Sequence, residues 1–86
     1  MIVIDADRCR RELAFNRLVP ALAEGFARGC RMPSRHVHQL AAGDGGTVLI
    51  MPAWTEDASP LLGVKIVNVF PGNAARGLPG LHATYT

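Results

Sequence analysis

The sequence predicts an α+β domain in which a mostly antiparallel sheet, built as a hairpin extended into a meander, is backed by one or two helices. Apolar residues recur at helical spacing in the first third of the chain and alternate at strand spacing from residue 32 onward. The strand-like runs are separated by stretches rich in glycine, proline and aspartate, which commonly join neighbouring antiparallel strands. A length of 86 residues allows one small domain.

Two helices are predicted before the strands. The first follows the β-prone run Met1–Ile4 and extends from about residue 8 to 13, with Asp7 able to accept hydrogen bonds from free amide groups. The second has Asn16 as its candidate cap and Gly29 as its end. The apolar face of the second helix consists of Phe15, Leu18, Val19, Leu22 and Phe26.

Three strands and the start of a fourth are predicted after the helices. Residues 34–40 and 47–51 alternate on either side of a turn and form a hairpin, and residues 61–70 form the third strand. Residues 71–80 are dense in glycine and proline and form a candidate functional loop. Residues 81–86 begin another strand and stop. We therefore expect an incomplete domain, which is the first part of a longer protein.

Lys65 lies in the middle of the third strand, whose two faces are both apolar, so this strand is expected to be covered on both sides. A buried ammonium group without a partner is strongly destabilising, so Lys65 must either extend to solvent at the edge of the sheet or find an anion inside. Gly63 lies two residues earlier on the same face and would let a flat ligand approach the backbone. Lys65 is therefore the candidate catalytic residue. The structural alternative is an ion pair with one of the 7 carboxylates of the chain.

Arg35 is the second candidate. Its planar guanidinium group lies among apolar strand residues and can hold a carboxylate through two hydrogen bonds. Arg35 and Lys65 together would make a pocket for an amino or keto acid. The alternative for Arg35 is an exposed cation on an outer strand.

Metal and nucleotide motifs are not supported by the sequence. His36 and His38 are two apart on one strand face and could present both imidazoles to a metal, with His82 as a third ligand, but no carboxylate or cysteine lies at a supporting spacing. The glycine cluster at residues 43–46 lacks a dinucleotide fingerprint, because a valine stands at position 48 and a β-prone run follows.

Charge and hydropathy argue against nucleic acid and membranes as partners. A net charge of +2 is too small and too diffuse to indicate nucleic acid. No stretch approaches the roughly 20 apolar residues of a membrane span, and the amino terminus shows no basic leader, so we expect a cytoplasmic protein without membrane contact. Cys9 and Cys30 fit no metal spacing and are expected to be reduced thiols.

Four segments carry a more specific pattern. They are MPSRHVH at residues 32–38, LIMPAW at 49–54, LGVKIV at 62–67 and FPGNAARGLP at 70–79. In this order they resemble the amino-terminal region of the ornithine cyclodeaminase and mu-crystallin family. The resemblance implies that residues 1–86 are the amino-terminal part of a domain that binds substrate and forms a homodimer. The Rossmann domain that binds NAD(H) or NADP(H) in the family is absent from this chain.

The resemblance also implies a function. Family members are NAD(P)-dependent enzymes that act on an amino acid or a cyclic imino or keto acid, by deamination with cyclisation or by imine reduction. Arg35 aligns with the arginine that holds the substrate carboxylate. Lys65 aligns with the lysine beside substrate and nicotinamide, where it would orient the carboxylate or donate to a developing charge during hydride transfer. Gly80 falls where some members place a threonine that touches the cofactor, and a glycine offers only backbone there.

The second substrate arginine and the catalytic aspartate of the family lie beyond residue 86. We therefore expect this chain alone to hold no cofactor and to be inactive. Two further hypotheses remain at this stage. One is a mu-crystallin-like protein that binds a ligand or nucleotide without turnover, and the other is a dimerisation module with no activity of its own.

Overall fold

A computed structural model describes residues 1–41 and 43–86. The four strands form one antiparallel sheet in the order β1-β2-β3-β4, so each strand lies beside its neighbour in sequence. The predicted α+β class and the antiparallel meander are confirmed. In chain order the elements are α1 (Ala6–Glu12), α2 (Phe15–Arg28), β1 (His36–Leu40), β2 (Gly46–Trp54), β3 (Leu62–Val69), a 3-10 helix (Pro71–Arg76) and β4 (Leu81–Tyr85).

Helix α1 begins two residues earlier than predicted. Asp5 caps it, because its Oδ1 accepts a hydrogen bond from the backbone N–H of Arg8 at 2.8 Å. Asp7, the predicted cap, lies inside the first turn and forms an ion pair with Arg10. The run Met1–Ile4 is exposed and has no strand conformation. Its β-branched residues favour a strand only where a neighbouring strand is available to pair with them.

Helix α2 ends at Gly29 as predicted. Gly29 has a positive φ of 75°, and its N–H donates to the carbonyl oxygen of Gly25 at 3.0 Å. Asn16 is not the cap: Ala14 occupies that position without a side-chain hydrogen bond, and Asn16 lies inside the first turn. No helix in the described part of the chain is long and apolar enough to cross a membrane.

The helices do not cover the sheet. Within residues 1–41 and 43–86, neither α1 nor α2 contains a buried residue, and Phe15 and Phe26 on the apolar face of α2 are 80% and 84% exposed. The prediction that helices back the sheet is therefore wrong for these residues. Helical periodicity shows that a face needs an apolar partner, but it does not show which surface provides that partner.

Charged residues and one bridge connect the end of α2 to the sheet. Arg28 Nη1 lies 3.8 Å from Asp57 Oδ2, and Arg31 Nε donates to Glu56 Oε2 at 3.0 Å. Arg31 also exchanges two backbone hydrogen bonds with Trp54, of 2.8 and 3.0 Å. This bridge fixes the path of the chain between α2 and β1.

The sheet is packed most closely at its centre. Val67 of β3, 8% exposed, is the one buried hydrophobic residue in the described part of the chain, and it pairs with Leu49 on β2 and Ala83 on β4. Most of β3 is only half-buried, so the prediction that this strand is covered on both faces is wrong here. An apolar run indicates that both faces can be buried, but it does not provide the layers that bury them.

The start of β2 is fixed by a close aromatic contact. A Cβ atom on Gly46 would lie 2.7 Å from Cε1 of Phe70 and 3.3 Å from the carbonyl oxygen of Val69. Only glycine leaves room for the Phe70 ring at this position. The contact closes the end of the sheet that lies away from Arg35.

Candidate functional site

A proline interrupts strand pairing beside the candidate residues. The N–H of Trp54 donates to the carbonyl oxygen of Arg31 at 3.0 Å. The backbone nitrogen of Pro52, two residues earlier on β2, points to the same side of the strand, toward the segment that follows Arg31. Pro52 has no N–H to donate there. Strand β1 starts only at His36, opposite Ile50. The segment from residue 32 to 35 therefore leaves the sheet next to Pro52, and space opens between them.

Arg35 and Lys65 both line the cavity at this gap, whose volume is about 340 Å³. Lys65 is half-buried in the middle of β3, and Arg35 is exposed at the end of the segment before β1. Met51 on β2 and Tyr85 on β4 pair directly with Lys65, so these three residues form one row across the sheet. The fold brings together two cations that are far apart in the sequence.

Neither cation has an anionic partner within residues 1–41 and 43–86. The ion pairs within 4.0 Å in this part of the chain all join other arginines to carboxylates. A structural ion pair between Lys65 and a carboxylate is therefore not formed in the part of the chain that the structure describes. Both positive charges remain available to an anion in the cavity.

Gly63 does not provide the open approach that the sequence predicts. A Cβ atom on Gly63 would lie 3.0 Å from Cε1 and 3.5 Å from the phenol oxygen of Tyr85. Tyr85 pairs with Lys65, and its ring extends diagonally across the strand to Gly63. A flat group does lie against Gly63, but it is the side chain of Tyr85.

Gly80 lies at the opposite end of the sheet. Its carbonyl oxygen accepts a hydrogen bond from the N–H of Phe70 at 2.7 Å. Phe70 is five residues beyond Lys65 along an extended chain, a distance of roughly 16 Å. The fold therefore does not bring Gly80 to Arg35 and Lys65. Its contact with a cofactor stays a prediction.

The structure does not bring His82 to the other two histidines. The ring centroids of His36 and His38 on β1 are 6.2 Å apart. His82 lies on β4, at the opposite edge of the sheet, which is roughly 14 Å away at three strand spacings. Among the described residues, no group of three His, Cys, Asp or Glu side chains could hold a metal ion.

Sequence reasoning missed Met51 and Tyr85 as residues that line the cavity with Arg35 and Lys65. Their place depends on the pairing register, which periodicity alone does not define. One signal was present: a proline inside a β-prone run marks a place where a neighbouring strand cannot pair. At Pro52 that signal coincides with the cavity.

The fold and this cavity define a small α+β module that presents two unpaired cations beside apolar side chains. The chain belongs to the ornithine cyclodeaminase/mu-crystallin family, whose sequence profile matches residues 2–86. The resemblance predicted from the four sequence segments is thereby confirmed.

Three proteins of known sequence or structure are similar to this chain. It is 34% identical over 85 residues to a Δ1-pyrroline-2-carboxylate reductase of Colwellia psychrerythraea, a match that covers 94% of this chain and 26% of the reductase. It is 46% identical over 41 residues to the protein SAR DEFICIENT 4 of Arabidopsis thaliana, which covers 46% of this chain and 13% of that protein. A solved structure of Thermococcus litoralis Δ1-pyrroline-2-carboxylate reductase, in complex with NADH and L-proline, matches with 30% identity and a TM-score of 0.59. That match covers 77% of this chain and 20% of the Thermococcus chain, so this chain spans about a quarter or less of the length of these relatives.

Proposed function

We propose that residues 1–86 form the amino-terminal, substrate-binding part of an NAD(P)-dependent reductase of cyclic imino acids. The observation that supports this most directly is the shared cavity of Arg35 and Lys65, in which neither cation is neutralised by a carboxylate of the described chain. The two related reductases favour imine reduction over deamination as the reaction class.

Arg35 and Lys65 are proposed to hold the substrate carboxylate. The guanidinium group of Arg35 offers two parallel N–H donors, and the ammonium group of Lys65 adds a third charge-assisted hydrogen bond. Met51 lies beside Lys65 and provides an apolar surface for the carbon ring of the substrate. The arrangement would orient the ring by its carboxylate and leave the C=N bond free for reduction.

The residues described here do not fit a dinucleotide. A dinucleotide site needs a parallel strand, a glycine-rich turn and a helix whose N-terminus faces the pyrophosphate. The turn at residues 43–46 leads into strand β2, and the sheet is antiparallel. The proposed role of this chain is therefore mainly to bind the substrate, and the contact of Gly80 with a cofactor held elsewhere stays a prediction.

Binding of L-proline to the chain, followed by ligand-observed NMR, tests the proposal. L-Proline is the ligand of the related Thermococcus structure and carries the carboxylate that Arg35 would hold. We expect Arg35→Gln to weaken binding at least roughly tenfold, because one charge-assisted contact contributes about 1.5–3 kcal/mol. Pyrrolidine, which lacks the carboxylate, should not compete.

Arg11→Gln is the matched control. Arg11 is an exposed residue of α1 outside the cavity, and its substitution removes the same charge. It should leave L-proline binding unchanged. Equal losses in Arg11→Gln and Arg35→Gln would show that net charge alone attracts the anion, and the proposed site would then be wrong.

A second candidate function, dimerisation, is favoured by the uncovered apolar face of α2. Phe15 and Phe26 expose most of their surface, and exposed apolar patches commonly mark protein interfaces. We propose that the protein is a homodimer in which this face is buried. Sedimentation tests this, because replacing both phenylalanines by serine should lower the sedimentation coefficient, and an unchanged coefficient would show that this face is not an interface.

A further inference from the structure

The ring of Tyr85 separates two neighbouring cavities. On one side is the cationic cavity of Arg35 and Lys65, and on the other side is a cavity of about 410 Å³ that Tyr85 also lines. The second cavity is bordered mainly by apolar residues, among them Trp54, Leu61 and Leu62. Tyr85 is therefore in contact with both spaces.

The position of this ring is fixed by the sheet. Tyr85 pairs with Lys65, and its Cε1 would lie 3.0 Å from a Cβ atom on Gly63, so one edge of the ring lies against the glycine backbone. The rest of the side chain is free, since Tyr85 is 75% exposed. A ligand held in the cationic cavity would meet this free surface of the ring.

We propose that Tyr85 determines how large an apolar group a bound carboxylate can carry. With the ring in place, the carboxylate site accepts only short or compact carboxylates. Without the ring, the two cavities join, and an apolar chain attached to the carboxylate reaches Leu61, which follows Lys65 and Gly63 on the same face of the sheet. The ligand class of the joined space is a monocarboxylate with an extended apolar substituent. This inference rests on the proposed carboxylate site, whose failure the experiment detects separately.

Butanoate and hexanoate are the probes, because they share the carboxylate and differ by two methylene groups. Their affinities are measured by ligand-observed NMR, and the methyl signals of Leu61, followed by protein-observed NMR, report entry into the second cavity. Tyr85→Val removes the ring between the two cavities and keeps a residue with high strand propensity. Tyr85→Phe is the matched control, because it keeps the ring and removes only the hydroxyl group.

In the unsubstituted chain and in Tyr85→Phe, we expect similar affinities for the two acids and no shift of the Leu61 methyl signals. In Tyr85→Val, hexanoate should bind roughly tenfold more tightly than butanoate, since each buried methylene contributes up to about fourfold, and the Leu61 methyl signals should shift. An equal preference for hexanoate before and after the substitution would overturn the role of Tyr85, as would an equal effect of Tyr85→Phe.

Loss of folding is checked separately, because Tyr85 lies at the end of an edge strand. Tyr85→Thr is the second variant, since it also removes the ring and keeps a β-branched side chain that suits a strand. It should raise the hexanoate-to-butanoate ratio as Tyr85→Val does, and an unchanged ratio in a folded Tyr85→Thr chain would count against the role of Tyr85. If butanoate binding is insensitive to Arg35→Gln, the carboxylate site itself is wrong, whatever Tyr85 does.

Discussion

Replacing Lys65 by methionine tests whether its charge serves a ligand or the fold. Methionine keeps much of the length and apolar volume of the stem and removes the ammonium group. Because Lys65 has no carboxylate within 4.0 Å in the described part of the chain, no ion pair is broken. We expect the free energy of unfolding to change by about 0.5 kcal/mol or less.

In contrast to stability, the affinity of Lys65→Met for L-proline should fall strongly. Loss of one charge-assisted hydrogen bond of about 1.5–3 kcal/mol weakens L-proline binding by roughly 10-fold to 150-fold. Binding is measured by ligand-observed NMR and stability by thermal unfolding of the same samples. A change of 0.5 kcal/mol corresponds to a shift in Tm of about 2–4 °C for a domain of this size.

Arg31→Met is the control. Arg31 lies outside the cavity of Arg35 and Lys65, and its cation has a carboxylate partner, Glu56, at 3.0 Å. This pair is exposed, so its loss should cost less than about 1 kcal/mol and leave L-proline binding intact. The reasoning on Lys65 would be refuted by a fall in Tm above about 12 °C with unchanged binding per folded molecule. That result would mean that a buried ion pair worth about 3–5 kcal/mol had been broken.

Three further predictions concern the cofactor, the packing of the sheet and its edge. NADH should give no saturable energy transfer from Trp54 in the micromolar range, and saturable transfer would show a dinucleotide site in these residues. Gly46→Ala should destabilise the chain by about 1–3 kcal/mol in urea unfolding, because the new methyl group meets the Phe70 ring, and adding Phe70→Leu should restore part of the loss. The chain should self-associate through the unpaired edge of β4, and Leu81→Lys should reduce the weight-average mass in sedimentation equilibrium. A monomer at high concentration before the substitution would contradict this last prediction.

Local pattern was sufficient for most of the sheet. The alternation of residues 47–51 predicted β2, and the apolar run of residues 61–70 predicted β3 almost to its ends. Strand β2 continues to Trp54, past the end predicted for it. Pro52 does not interrupt the strand, because no residue of β1 lies opposite it to need a hydrogen bond from its nitrogen. The sequence did not show that the segment before β1 is unpaired opposite Pro52, because that depends on tertiary structure.

The candidate site was predictable only in part. Arg35 and Lys65 were identified from residue type and family resemblance, and the structure adds that they line one cavity. Tyr85 could not be identified, because its place beside Lys65 depends on the β3–β4 register. The helix caps were misplaced for a related reason: Asp5, Asp7 and Asn16 are all competent caps, and only the backbone conformation selects between them.

The nearest-neighbour order of the four strands makes the site tolerant of one kind of change and intolerant of another. Insertions in the connection between β2 and β3, residues 55–61, leave the pairing of Met51 with Lys65 untouched, so this loop is free to vary in length during divergence. A single deletion between Leu62 and Lys65 has a different effect, because it shifts the strand by one residue and turns Lys65 to the opposite face of the sheet. Natural variation in length among homologous chains should therefore collect in the turns and be excluded from the row of Met51, Lys65 and Tyr85.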